Sequence, residues 1–158
     1  MKPRSIAAIA ALAALAITLP LAAQHQHQHG AGNATPDTRI AVSLPEAERV
    51  HILANMRDHL ASLQQIQAAL AAGKFELSAE IAEHHLGMTS LKMHGASDLA
   101  PHMPAAMQAI GTEMHHAASR FALEATNATV SGDVRAPLAA LAKVTAQCVA
   151  CHGAYRVH

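Results

Sequence analysis

From Ser43 onward, apolar residues return at every third or fourth position in four successive runs, the period that gives a helix one buried face. The first run opens at Ser43, with Pro45 in its first turn and Glu46 three residues after the serine. This pattern predicts a capping box and a helix start. Its stripe reads Leu53, Met56, Leu60, Leu63, Ile66 and Leu70, and Gly73 supplies a left-handed stop. A second helix, capped near Ser78, carries Leu77, Ile81, His84, Met88 and Leu91 and ends by Gly95. The third starts around Pro101 to Pro104, carries Met103, Met107, Ile110, Met114, Ala117 and Phe121, and is broken between Asn127 and Gly132. The fourth begins near Asp133 and Pro137 and runs through Leu138, Leu141, Val144, Cys148, Cys151 and Tyr155. No strand and no second domain is expected. Short connections favour antiparallel neighbours, so the pattern predicts an all-α, up-down-up-down antiparallel four-helix bundle over residues 43–158.

The residues ahead of the bundle read differently. Lys2 and Arg4 precede an apolar stretch from Ile6 to Leu19, then Pro20 and Leu21-Ala22-Ala23, the layout of a secretory signal peptide over residues 1–23. That stretch is shorter than the roughly 20 residues a membrane span needs. No membrane span is therefore expected after cleavage, and an exported, periplasmic protein is. Residues 24–42 read as a disordered, His-rich tail: His25, His27 and His29 alternate with glutamine, and glycines follow. Such a tract is also a candidate for copper, nickel or zinc.

Composition narrows the function. Apolar residues make up 51% of the chain but aromatics only 2%, so the core rests on Leu, Ala and Met in helices. Formal net charge is zero with 13 histidines counted neutral, which lacks the basic footprint of a nucleic-acid binder. No general acid and base flanking a substrate pocket is recognisable, so an enzyme is not expected.

The chemistry concentrates in the fourth helix. The chain has two cysteines, in Cys148-Val149-Ala150-Cys151-His152. Two thiols three positions apart share a helix face and can add to the two vinyl groups of one haem, and the adjacent imidazole can bind the iron. A redox Cys-x-x-Cys belongs in a βαβ setting, and a structural zinc site needs two further ligands. One covalently bound haem c is therefore expected, attached through Cys148 and Cys151 with His152 on iron. Following an up-down chain brings the start of the first helix and the second–third connection to the end that bears this motif. Met56, His59, Met88, Met93, His94, His102, Met103 and Met107 are expected to gather there. On the open face of the iron, Met56 is the first-choice ligand and His59 the second; an open face is the remaining arrangement. The methionines beside His94 and His102 could alternatively form a soft copper(I) site. The adjacent pairs His84–His85 and His115–His116 point in different directions on a helix, and they read as edge or surface residues, with His84 a candidate core histidine.

A four-helix chain ending in Cys-x-x-Cys-His, with an aromatic and a basic residue three and four positions later (here Tyr155 and Arg156), resembles the cytochrome c′ family and its low-spin relatives. The resemblance spans roughly Ser43 to Arg156 in layout, and rests on the motif helix and the surroundings of Met56. It departs from the family in placing Ile52, not a basic residue, one turn before Met56. The resemblance implies haem c on Cys148, Cys151 and His152, residence in the periplasm, redox partner proteins and a homodimer paired through the first two helices. It also implies one of two activities: electron transfer with a methionine on iron, or binding of nitric oxide or carbon monoxide at an open face. Tyr155 is expected against the haem edge, and Arg156 beside a propionate or near His152.

Overall fold

A computed structural model describes residues 36–158. The residues read as a signal peptide, and most of those read as a His-rich tail, lie outside the described residues. The order of elements is β1 (Ile40–Val42), α1 (Glu46–Ala71), α2 (Phe75–His85), a short α3 (Ala96–Leu99), α4 (Ala105–Ser131), α5 (Arg135–Ala154) and β2 (Tyr155–Val157). The fold is all-α, as the periodicity predicts. Among the described residues no helix is long and apolar enough to cross a membrane.

Helix α1 begins at Glu46, and no side chain caps it. The capping box read at Ser43 is not formed. The Ser43 hydroxyl instead lies 3.0 Å from the His158 ring, and Glu46 pairs with Arg49 one turn on. The stop at Gly73 is as expected. Its φ is +67°, and the Lys74 and Gly73 N–H groups donate to the carbonyls of Ala69 and Leu70, the doubled bond pattern of a Schellman ending.

The second helix is shorter and earlier than its pattern suggests, ending at His85 where Ser78 to Gly95 was expected. At Gly87 the backbone passes so close to Glu83 that a Cβ would meet both its carboxylate and its backbone carbonyl. Thr89 then closes the turn by donating its hydroxyl to the Glu83 carbonyl. Short 3₁₀ turns at Met88–Ser90 and Ala100–His102 lie on either side of α3, with residues 91–95 in turn conformation. Helix α4 continues through Asn127 and stops only at Gly132, φ +69°. Within and just before the expected break, threonines bond back into the helix, Thr126 to the carbonyl of Ala122 and Thr129 to that of Thr126.

The buried faces of α1 and α2 are rotated from the apolar stripes. Leu53 and Leu60 are exposed, and α1 buries Ile52, Asn55, Ser62, Ile66, Ala69 and Leu70. In α2, Leu77 and His84 face solvent while Ser78, Ala79 and Ala82 are buried. Small residues win these positions because they allow close approach: α1 packs on α2, α2 on α4 and α4 on α5. The polar ones carry their own partners, Ser62 bonding to Asp58 and Ser78 to Phe75 in the preceding turn.

Two apolar clusters result. The larger joins Ile66 and Leu70 of α1 to Ala82, Leu86, Met114, Phe121, Ala125, Leu141 and Val144. Phe121 is wholly buried there, so Phe121→Ala is expected to cost about 3–5 kcal/mol in urea unfolding. The smaller cluster joins Val42, Ile52, Leu99, Met107 and Tyr155, with Met56, Met103, Ile110, Cys151 and Ala154 packed against it.

The strands were not expected. Ile40–Val42, read as the end of the tail, pairs in parallel with Tyr155–Val157, with Ile40 opposite Tyr155. Each strand is three residues long, yet together they tie the approach to α1 to the segment directly after the cysteine motif.

Candidate haem-attachment site

The motif occupies the last two turns of α5. At about 100° per residue, Cys148, Cys151 and His152 fall within about 100° of arc. Cys148 packs against the larger apolar cluster and Cys151 against the smaller one. Both are free thiols, half-buried. Burial raises both thiol pKa values above the ordinary range; for Cys151 the neighbouring Cys148 adds to the effect. The Cys148 thiol donates to the Val144 carbonyl at 3.6 Å. Disulfide-exchange motifs need a lowered thiol pKa, and this environment does the opposite. His152 is exposed; its backbone carbonyl accepts from Arg39 Nη1 at 3.4 Å.

The donor set therefore suits haem c: two protonated thiols on one arc, an accessible imidazole beside them, and an apolar wall. That wall is built by the elements placed at the motif end, namely β1, the first half of α1, α3 and the start of α4. Met56 is half-buried and belongs to the same cluster as Cys151. Tyr155 is buried there, in β2 rather than in α5. Arg156 pairs with Asp37, Nε to Oδ2 at 3.5 Å, and Asp37 also pairs with Arg39 at 2.8 Å. The Arg39 hydrogen bonds beside Asp37 hold its carboxyl down at about 2. Asp37 and Arg39 had no signal in the sequence, because nothing there shows a tail segment folding back along residues 155–157.

Of the methionines and histidines expected at this end, Met56, Met103 and Met107 come together with Cys151. Met93 is 55% exposed and lies beside His51 and Lys92, and Met88 borders a cleft with Glu83, His84 and Ser119. His102 is exposed. His59 and His94 form a separate group with His115. That group corrects the reading of His115 as an edge residue: it is buried, its Nδ1 2.7 Å from the Leu86 carbonyl. His84, by contrast, is exposed and not a core histidine.

Family models, curated proteins and solved structures offer no match to this chain.

Proposed function

We propose that this protein is a periplasmic c-type cytochrome that carries one covalent haem c and acts in electron transfer with partner proteins, not as an enzyme. The observation that carries this reading is Cys148-x-x-Cys151-His152 on one arc of a helix end, against an apolar cluster that contains Met56. In this reading the four long helices form an up-down-up-down bundle, residues 1–23 direct export, and two copies pair through α1 and α2.

When bound, the haem supplies one-electron exchange between ferric and ferrous iron. The protein's residues do the rest. Cys148 and Cys151 hold the macrocycle by thioether bonds, which retain it where a dissociable cofactor would be lost. His152 supplies the imidazole ligand. Met56 supplies a thioether from α1, and a His/Met pair raises the reduction potential. Val42, Met103, Met107 and Tyr155 keep water from that side. On the other side His152 and Val149 are open to solvent, Val149 being 73% exposed, and this edge gives a redox partner close approach. Arg39 and Arg156 share the single carboxylate of Asp37, so the cluster beside the His152 carbonyl keeps one net positive charge, which favours the reduced, less positive centre.

The second reading, an open iron face that binds nitric oxide or carbon monoxide, is separated by the distal residue. Met56→Ala is expected to convert a low-spin protein with no response to carbon monoxide into one whose reduced spectrum shifts completely on carbon monoxide addition. A wild-type protein that already shows the full shift removes Met56 from the iron and favours gas binding.

A further inference from the structure

Outside the Cys-x-x-Cys-His motif, the fold gathers three imidazoles from three separate elements: His59 of α1, His94 of the turn before α3 and His115 of α4. Their ring centroids lie 4.6 Å (His59–His94), 5.6 Å (His94–His115) and 6.1 Å (His59–His115) apart. His94 and His115 are buried and His59 is half-buried. No ion pair joins any of them to a carboxylate among the described residues; Asp58 lies close enough only to favour His94 charge weakly.

The surroundings orient the His115 ring and fix the His94 backbone. The Leu86 carbonyl can only accept, so His115 Nδ1 carries the proton of the 2.7 Å bond and Nε2 keeps a free lone pair. A backbone carbonyl on the far nitrogen is the usual way a metal-binding histidine is fixed. The His94 backbone is held twice, its N–H donating to the Ser90 carbonyl at 3.0 Å and its carbonyl accepting from the Asn55 amide at 3.0 Å. Ser90 gives its hydroxyl proton to the Gly87 carbonyl.

Between the rings the fit is loose. His59 Nε2 and His94 Nδ1 are 3.4 Å apart, and Ser90 Oγ is 3.3 Å from His94 Nδ1. Both exceed the usual 2.7–3.2 Å range of a good N–H hydrogen bond. Two nitrogens at zinc-bonding length in a tetrahedron, however, stand about 3.4 Å apart, and the centroids of their rings about 5 Å. As the side chains stand, no metal-holding group is formed among the described residues; with His115 kept on the Leu86 carbonyl through Nδ1, the site would close by rotation of the His59 and His94 rings.

We propose that His59, His94 and His115 form a second metal site, distinct from the haem, for a divalent ion of the zinc class, with water in the fourth position. Burial keeps all three imidazoles neutral, as ligation needs. This assignment gives His59 to the second metal and leaves Met56 to the iron.

The test uses the full chain with His25, His27 and His29 changed to Gln, which removes the tail as a competitor. Zinc is titrated by calorimetry, and the zinc-loaded protein is studied by X-ray absorption at the zinc edge. The same measurements on a Cys148→Ser/Cys151→Ser background read the zinc shell whether or not haem is attached. One zinc per chain with three imidazole nitrogens and no sulfur is expected on both backgrounds. His94→Gln and His115→Gln should each weaken binding by about 100-fold or more, while His84→Gln and His116→Gln, both on exposed residues, leave it unchanged. Absence of zinc binding overturns the proposal, as does a shell with fewer than three imidazoles in the parent, a result that needs no variant to fold. Equal affinity in folded His94→Gln also overturns it. Loss of the haem reading registers separately, as a missing Soret band.

Discussion

Cys148→Ser/Cys151→Ser, produced alongside a haem-attachment system, should emerge with no covalent haem at all. A serine hydroxyl in place of each thiol cannot form the thioether, and His152 alone leaves any haem held by one exposed imidazole, free to dissociate. The fold should survive. Both cysteines are only half-buried, at the edges of two clusters whose centres are Phe121, Ile66 and Val144 on one side and Ile52 and Met107 on the other. Denatured wild-type protein should keep its colour through acidic solvent extraction and the double variant should lose it. Single variants should retain one bond and a shifted absorption maximum. His152→Ala should keep the covalent bonds but lose the imidazole ligand, which separates attachment from ligation. A double variant as firmly coloured as the wild type would falsify the assignment of these two residues.

The second large effect is on acid stability. Burial, and then repulsion from neighbouring imidazoles (His94 and His115 for His59; His115 and His51 for His94), lowers the pKa values of His59 to about 3 and His94 to about 4, and burial lowers that of His115. In the unfolded chain each returns to about 6.5. Between these limits the unfolded state binds protons that the folded state refuses, so stability is full above about pH 6.5 and falls as pH drops towards 4. The slope is about 1.4 kcal/mol per pH unit for each imidazole, and up to about 4 with all three, lessened where water reaches the rings. The carboxyls of Asp37 and Asp133, held at about 2 by Arg39 and Arg135, add a loss only at lower pH. Urea midpoints at pH 7 and pH 5 measure the effect. His59→Gln should flatten the profile, and a midpoint unchanged between the two pH values contradicts neutral burial of these rings.

The Cys-x-x-Cys-His motif is legible in the chain because its residues are local: five consecutive positions supply both thiols and the imidazole. The α4 stripe was legible for a related reason. Its buried positions Met107, Met114, Ala117 and Phe121 are apolar in register, so pattern and packing agree. On α1 and α2 they disagree. The buried faces there include Asn55, Ser62 and Ser78, whose polar atoms are satisfied by partners that a hydrophobicity pattern does not contain, and the apolar Leu53, Leu60 and Leu77 are left outside. The same blindness hid the three-histidine group, whose members belong to three elements brought together by tertiary contacts of polar side chains. It also hid the pairing of Ile40–Val42 with Tyr155–Val157, which no three-residue segment can announce.

A covalent bond between this chain and haem is read from the mass of the intact protein. The wild-type protein, expressed with a working attachment system, is denatured and its intact mass recorded beside its reduced absorption spectrum. The expected product is a chain heavier by one haem, with a Soret band that stays with the polypeptide under denaturing conditions. A mass equal to the bare chain and no Soret band would contradict it.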